Sequence, residues 1–325
     1  MNTLDPQNNT IKNINEINDS EWQTFYAEHK SKDYPVGVYY IELSKMIMGD
    51  VRLHWHSETE IDYVKQGTAV FYIGEETVTV EEGNAIVINE GRIHSISQRS
   101  KDCIILSVLF APDFIFENSD SFLSQKYKNP LNNNSSYLYR IFNSSNSIGI
   151  NCINEILKIN LEKKFGYELM TKSLLCHLWL MLLEYTKSVK NKPNELSNID
   201  EQRVKNAIKF IHNNFYKELT LDQIAESIHL SKSECCRAFK RSTHMTPFEY
   251  LMRQRIFESA IKMQRNDPIC SSISELSKSV GFNNASYFNK IFKKYMRNTP
   301  LKCREEIKKK HRDYLSPFGI SLSRL

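Results

Sequence analysis

The feature that most restricts what this 325-residue chain can fold into is a pattern that occurs twice in its last third. In the later copy, residues 273–304, Ile273, Leu276, Ser277 and Val280 form one run and Phe288, Ile291, Phe292 and Tyr295 a second. Both follow the three- and four-residue spacing of amphipathic helices. Gly281 stands between them, where a tight turn needs a residue that tolerates positive φ. Ser277, four residues earlier, is small enough for two helices to cross closely. In the earlier copy, residues 219–225 (LTLDQIA) lead through His229 into residues 230–251. There Phe239, Lys240, Thr246 and Pro247 repeat the spacing of Phe292, Lys293, Thr299 and Pro300. Two copies are too few for a solenoid and predict paired helix-turn-helix units. The stretch between them, 248–265, reads as one long helix ended by Asn266-Asp267-Pro268.

Charge is divided in the same way. Residues 1–200 hold 19 Lys+Arg against 26 Asp+Glu, a balance of −7, and residues 201–325 hold 24 against 12, a balance of +12, which together return the +5 of the whole chain. A basic half built on helix-turn-helix patterns implies a polyanionic partner, double-stranded DNA. In the later copy the outward positions are Asn283, Asn284, Ser286, Tyr287, Asn289, Lys290, Lys293 and Lys294. Amides and hydroxyls pair with base edges, whereas lysines favour phosphates. In the earlier copy Ser231 is a natural N-cap, with Lys232, Ser233, Glu234, Cys236 and Arg237 near the exposed helix start and Lys240 and Arg241 near its end. Cys235, Ala238 and Phe239 turn to the core. The fork of Arg237 can span guanine O6 and N7, and it can equally meet a phosphate. For Lys308-Lys309-Lys310 a solvated face is the better reading.

The string VGF-x-x-x-SYF-x-x-x-FKK-x-x-x-x-TP, carried by Val280, Gly281, Phe282, Ser286, Tyr287, Phe288, Phe292, Lys293, Lys294, Thr299 and Pro300, resembles the signature of the AraC/XylS family of transcription regulators. The resemblance implies two units held on one helix so that they read successive major-groove turns of one DNA face. It also implies an effector-binding domain ahead of them, a homodimer, and RNA polymerase as a further partner of an activator. His244 and Arg297 depart from the pattern, standing where a glycine commonly follows the recognition helix, and Cys303 replaces a frequent tyrosine.

The first half alternates short apolar runs with turn residues: 38–47, 51–56, 61–65, 68–73, 76–80, 85–88, 93–97 and 103–110 are each strand-length. Many short strands at near-regular spacing predict a barrel or sandwich. Within this run His54, His56, Glu60 and Gly67 are similar to the first motif of the cupin superfamily, and Gly83, Asn89-Glu90-Gly91 and His94 to the second, with Asn89 in place of a proline and Gln98 in place of a frequent asparagine. Strand alternation would point Arg52, His54 and His56 together, and a barrel can bring Glu60 and His94 beside them. Three readings compete for this group. It is a catalytic metal site of a cupin enzyme fused to a DNA-binding domain, an effector pocket in which polar groups hold a sugar or other small polar molecule without metal, or a set of packed core residues. The family resemblance favours the effector pocket, with no enzyme activity and no metal or other cofactor expected.

Residues 111–151 are rich in Asn, Ser and Tyr and read as loops with at most short helices near Asp120 and Leu138. Helices follow at 153–164 and 168–189, the second with a stripe of Leu174, Leu175, Leu178, Met181, Leu182 and Tyr185 that either closes the barrel or forms a dimer seam. Seven scattered cysteines without a C-x-x-C indicate a reducing cytoplasm. The most apolar run, 174–183, is about half of a membrane span. The expected layout is a two-domain chain: arm 1–30 with a short helix at 21–29, all-β cupin-like effector-binding barrel 31–112, loops and dimerisation helices 113–189, linker 190–199, all-α double helix-turn-helix domain 200–310 and C-terminal tail 311–325. The expected function is a cytoplasmic, sequence-specific transcription regulator controlled by a small effector.

Overall fold

The computed structural model describes residues 34–116, 120–132, 138–188 and 195–313. The expected arm, its helix at 21–29 and residues 314–325 of the tail lie outside them. Two units divide the chain, Met1–Glu201 and Gln202–Leu325.

The first unit is built from antiparallel strands β1 (Val36–Glu42), β2 (Asp50–His54), β3 (Thr59–Gln66), β4 (Thr68–Ile73), β5 (Glu76–Glu81), β6 (Ala85–Ile88), β7 (His94–Gln98), β8 (Ile104–Phe110) and β9 (Tyr139–Phe142). They form a five-stranded sheet in the order β1-β8-β3-β6-β9 and a four-stranded sheet in the order β2-β7-β4-β5. Strand alternation sorts the side chains of the larger sheet into two cores. Tyr39, Ile41, Val64, Ile86, Ile88, Ile105 and Leu109 face Val51, Phe71, Ile73, Val80 and Ile96 of the smaller sheet. Val36, Ile61, Val87, Val108 and Phe110 face the other way, onto helices α1 (Ser147–Glu162) and α2 (Tyr167–Ser188). Leu175, Leu178, Trp179 and Leu182 of α2 are buried in this outer core, so the stripe expected either to close the barrel or to form a dimer seam packs against the sheet. Each such side chain contributes about 1.5–3 kcal/mol when fully buried. Trp179 also donates its indole N–H to the Tyr127 carbonyl at 2.8 Å, so its polar edge is not stranded.

All eight expected strands are present, and a ninth replaces a predicted feature. Where loops and a short helix near Leu138 were expected, Tyr139–Phe142 forms β9 at the edge of the larger sheet, paired with β6. Tyr139 and Ile141 pack on the inner core and Phe142 on the outer one. Arg140 donates to the Met181 carbonyl and lies over the rings of Phe142 and Tyr185, at 4.5 and 4.9 Å from their centroids. These long-range partners overrule the turn-rich local composition.

Helix α3 (Glu195–Asn214) leads into the second unit, which contains helices α4 (Leu221–Glu226), α5 (Lys232–Thr243), α6 (Pro247–Gln264), α7 (Ile273–Ser279), α8 (Ala285–Met296) and α9 (Pro300–Asp313). Helix α3 begins inside the stretch expected as linker. The repeated Thr-Pro has a direct cause. Thr246 caps α6 by accepting from the Glu249 N–H, Glu249 returns the bond to Thr246, and Pro247 occupies the first helical position, where a missing N–H costs nothing. Thr299 accepts from the Lys302 N–H ahead of Pro300 in the same way.

One buried cation ties the paired units together. Arg255 of α6 donates from Nε to the Phe215 carbonyl at 2.8 Å and from Nη2 to the Lys217 carbonyl at 2.7 Å, beyond the end of α3. Its guanidinium also lies 5.5 Å from the Phe282 ring centroid, in the turn between α7 and α8. Burial lowers its pKa to about 10. Gly281, at φ +90°, makes the space: a Cβ there would stand 2.4 Å from the Phe215 carbonyl and 2.9 Å from the guanidinium. Gly281→Ala should therefore destabilise the second unit by about 2–3 kcal/mol, measured by chemical denaturation, since it combines a strained backbone with a clash against main chain. His244 and Arg297 occupy the left-handed conformation at the ends of the two recognition helices, with φ 58° and 55°. His244→Gly and Arg297→Gly should each raise stability by up to about 1 kcal/mol in the same assay.

Candidate functional site

The first unit buries four of the five residues singled out there as one polar group. His54, His56, Glu60 and His94 each offer one ligand atom, these atoms lie within 4.8 Å of one another, and all four residues are buried. Strands β2 and β7 place His54 opposite His94, with ring centroids 4.1 Å apart. A register shift between Val51 and His54 breaks the two-residue alternation, which is how apolar Val51 and polar His54 both reach the interior. His56 lies beyond the end of β2, in a turn held by the Gly91 N–H donating to the His56 carbonyl at 2.7 Å. His54 and His56 come together, as expected from the sequence. Arg52 is buried and meets the cluster through its backbone carbonyl.

Hydrogen-bond polarity defines what this cluster can do. The Nδ1 atoms of His54, His56 and His94 lie 2.7, 3.1 and 2.8 Å from the carbonyls of Arg52, Glu58 and Arg92. A carbonyl only accepts, so each Nδ1 carries a proton, and each ring turns its Nε2 to the interior. Glu60 Oε2, also an acceptor, lies 2.9 Å from His56 Nε2 and 2.8 Å from His94 Nε2. Ser107 donates to Glu60 Oε1 at 3.2 Å and so orients the carboxylate. Three imidazole nitrogens and a carboxylate thus converge in a buried space, where either protons on the rings or a cation can meet the carboxylate charge. Burial, then the neighbouring His94, hold the His54 imidazole well below its ordinary pKa, so it stays neutral. For Glu60, burial pushes upward, but His94 and His56 outweigh it and hold the carboxyl well below the usual carboxylate range.

Two further polar residues were not foreseen. Asp62 is fully buried two positions beyond Glu60 on β3, with no hydrogen-bond partner at either carboxylate oxygen. Burial, then the charge of Glu60, push its pKa well above the usual value. Tyr39, registered with Ser107 on β8, has its phenol pushed up by burial and by Glu60. Strand parity from Glu60 points to Asp62 in the sequence; only the pairing of β1 with β8 and of β8 with β3 brings in Tyr39 and Ser107. Asn89, where the cupin motif has proline, is a structural residue, its Nδ2 donating to the Leu131 carbonyl at 3.3 Å.

In the second unit α4–α5 and α7–α8 are the two helix-turn-helix pairs. Ser231 caps α5 by accepting from the Glu234 N–H, and Asn284 caps α8 by accepting from the N–H groups of Ser286 and Tyr287. The Asn284 side-chain oxygen is therefore committed to the cap, and its amide donor is what remains for a base. Cys235, Ala238 and Phe239 of α5 and Phe288 and Phe292 of α8 are buried. Lys232, Ser233, Arg237 and Lys240 are exposed, and Glu234, Cys236 and Arg241 partly so. Asn283, Asn284, Ser286, Tyr287, Asn289, Lys290, Lys293 and Lys294 are all exposed, so the amphipathic division read from the sequence holds at each position. Among the described residues no helix is long and apolar enough to cross a membrane.

Comparison with known proteins matches residues 224–306 to a helix-turn-helix domain model and residues 36–178 to an AraC-like ligand binding domain. The HTH-type transcriptional regulator YdeC of Bacillus subtilis is 31% identical over 279 residues, covering 85% of this chain and 93% of its own. The HTH-type transcriptional activator RhaS of Pectobacterium carotovorum is 21% identical over 259 residues, covering 78% of this chain and 87% of its own. Among solved structures, ToxT of Vibrio cholerae O395 aligns with 85% of this chain and 99% of its own at 13% identity, with a TM-score of 0.42. The chain belongs to the AraC family of transcription regulators, with an AraC-like ligand-binding domain preceding a DNA-binding helix-turn-helix domain.

Proposed function

We propose that this regulator reads specific DNA sequences with α5 and α8 and that its control site holds a divalent transition metal on His54, His56, Glu60 and His94. The observation that carries the metal is the convergence of three imidazole nitrogens and a carboxylate, each ring locked from behind by a backbone carbonyl. That backing of the distal nitrogen is what orients histidine ligands in metal sites, and the N3O set suits Mn, Fe, Ni or Zn. When bound, the metal supplies a positive centre to which an oxygen-bearing effector attaches. A sugar or other small polar molecule held without metal, the expectation from sequence, would meet the same groups through hydrogen bonds instead.

Control then follows from linkage: an occupant that favours one state of the ligand-binding domain shifts DNA affinity only by its preference for that state. The affinity of the full chain for duplexes from its flanking promoters should change at least about fivefold between chelated and metal-loaded protein. His54→Ala should remove that response while leaving the DNA affinity of chelated protein unchanged. Equal affinity in both states of the wild type would sink the metal reading and leave the DNA reading standing.

On the DNA side, exposed Lys293 and Lys294 near the end of α8 are assigned to phosphates. Lys293→Ala should reduce the slope of log affinity against log salt by about 0.9 and weaken all sequences alike. A loss confined to one base pair would reassign it to base reading.

A further inference from the structure

We propose that Glu234 is a positioning residue that sets the guanidinium of Arg237 for one guanine in the DNA site. The inference rests on the reading that α5 enters the major groove, and it concerns a carboxylate that simple charge matching does not explain. Glu234 is the only acid in α5 (KSECCRAFKRST), and α8 (ASYFNKIFKKYM) has none. An acid on a face that meets phosphates lowers affinity unless its charge is used locally. The place of Glu234 in the first turn of α5 suits the helix N-terminus, as Glu249 and Glu275 do in their helices, but that role needs no arginine, and exposed ion pairs one helical turn apart add little to folding stability.

The geometry shows a local use. Glu234 Oε2 accepts from Arg237 Nε at 3.0 Å and from Arg237 Nη2, while Oε1 accepts from Arg241 Nη2 at 3.3 Å. The Ser231 cap on the Glu234 N–H fixes the first turn from which this carboxylate projects. Arg237 therefore has its Nε–Nη2 edge tied down while its side chain remains 63% exposed. What is left outward is the Nη1–Nη2 end of the fork, the pair of donors that matches guanine O6 and N7. A long, mobile arginine is converted into an oriented reader before DNA arrives, and Arg241 is held alongside by the same carboxylate. Arginine and acid then act as one unit.

The test is selection of duplexes from a random library by the full-length wild type, Arg237→Ala, Glu234→Ala and Glu234→Gln, read as base preference at each position and as salt slope. The wild type should show a guanine position that Arg237→Ala flattens. Glu234→Ala, with Arg237 intact, should reduce preference at that same position by about 5- to 100-fold and leave the other positions and the salt slope unchanged. Glu234→Gln keeps an oxygen for the Arg237 edge and should retain most of the preference. An intact guanine position in Glu234→Ala, tighter binding at every position, or equal weakening at every position would each overturn the proposal. Failure of the wild type to enrich any sequence would overturn the groove reading along with it.

Discussion

Three imidazole nitrogens and a carboxylate buried together need positive charge among them, carried by protons or by a cation, and the ligand-binding domain of this regulator holds such a group. Three histidines spend their Nδ1 protons on the carbonyls of Arg52, Glu58 and Arg92, which leaves Nε2 as the atom each ring turns toward the interior. The surrounding structure maintains this arrangement. The irregularity in β2 turns His54 inward beside Val51, the Gly91 N–H holds the His56 turn, and Ser107 uses its only proton on the far oxygen of Glu60. Buried Asp62 and Tyr39 extend the polar row along the inner face of the larger sheet, where a purely structural core would place aliphatic groups. Strength in a buried polar network comes from complete satisfaction, which protons on the rings or a bound cation would each supply here.

The DNA-binding half depends on a different buried charge. Arg255 satisfies two main-chain carbonyls beyond α3 and stacks on Phe282, so one side chain of the long helix joins the first helix of the domain to the second helix-turn-helix. Its cost of burial is offset by these two hydrogen bonds and by the ring face. On the surface the two recognition helices differ. Helix α8 carries amides, hydroxyls and lysines, whereas α5 carries arginines bound to a single acid. The two units share a scaffold without sharing a reading head.

Much of this was legible in the sequence, for identifiable reasons. The helix-turn-helix pairs announce themselves because burial, capping and turn chemistry act over a few residues: Thr246-Pro247, Ser231 and Gly281 each do locally what their type suggests. The eight strands before residue 111 were legible because apolar alternation and turn residues agree. What escaped was decided by distant partners. Strand β9 is four residues in a polar stretch and exists because β6 offers an open edge. Asp62, Ser107 and Tyr39 are unremarkable as letters and become a polar row only when β1, β8 and β3 pair in register. The four residues were visible as a cluster, but the way each ring turns Nε2 inward comes from which carbonyl stands behind it, and that is a property of the folded backbone.

The most direct measurement is X-ray absorption at the metal edge of full-length protein given one equivalent of Zn, Mn, Ni or Fe, compared with His94→Ala. The account predicts one tightly held ion per chain in the wild type, with nitrogen and oxygen scatterers at about 2.0–2.2 Å when the metal is zinc, and the loss of one nitrogen scatterer or of the ion itself in the variant. Failure of the folded wild type to retain any of these metals, or a ligand shell that is the same in His94→Ala, would contradict it.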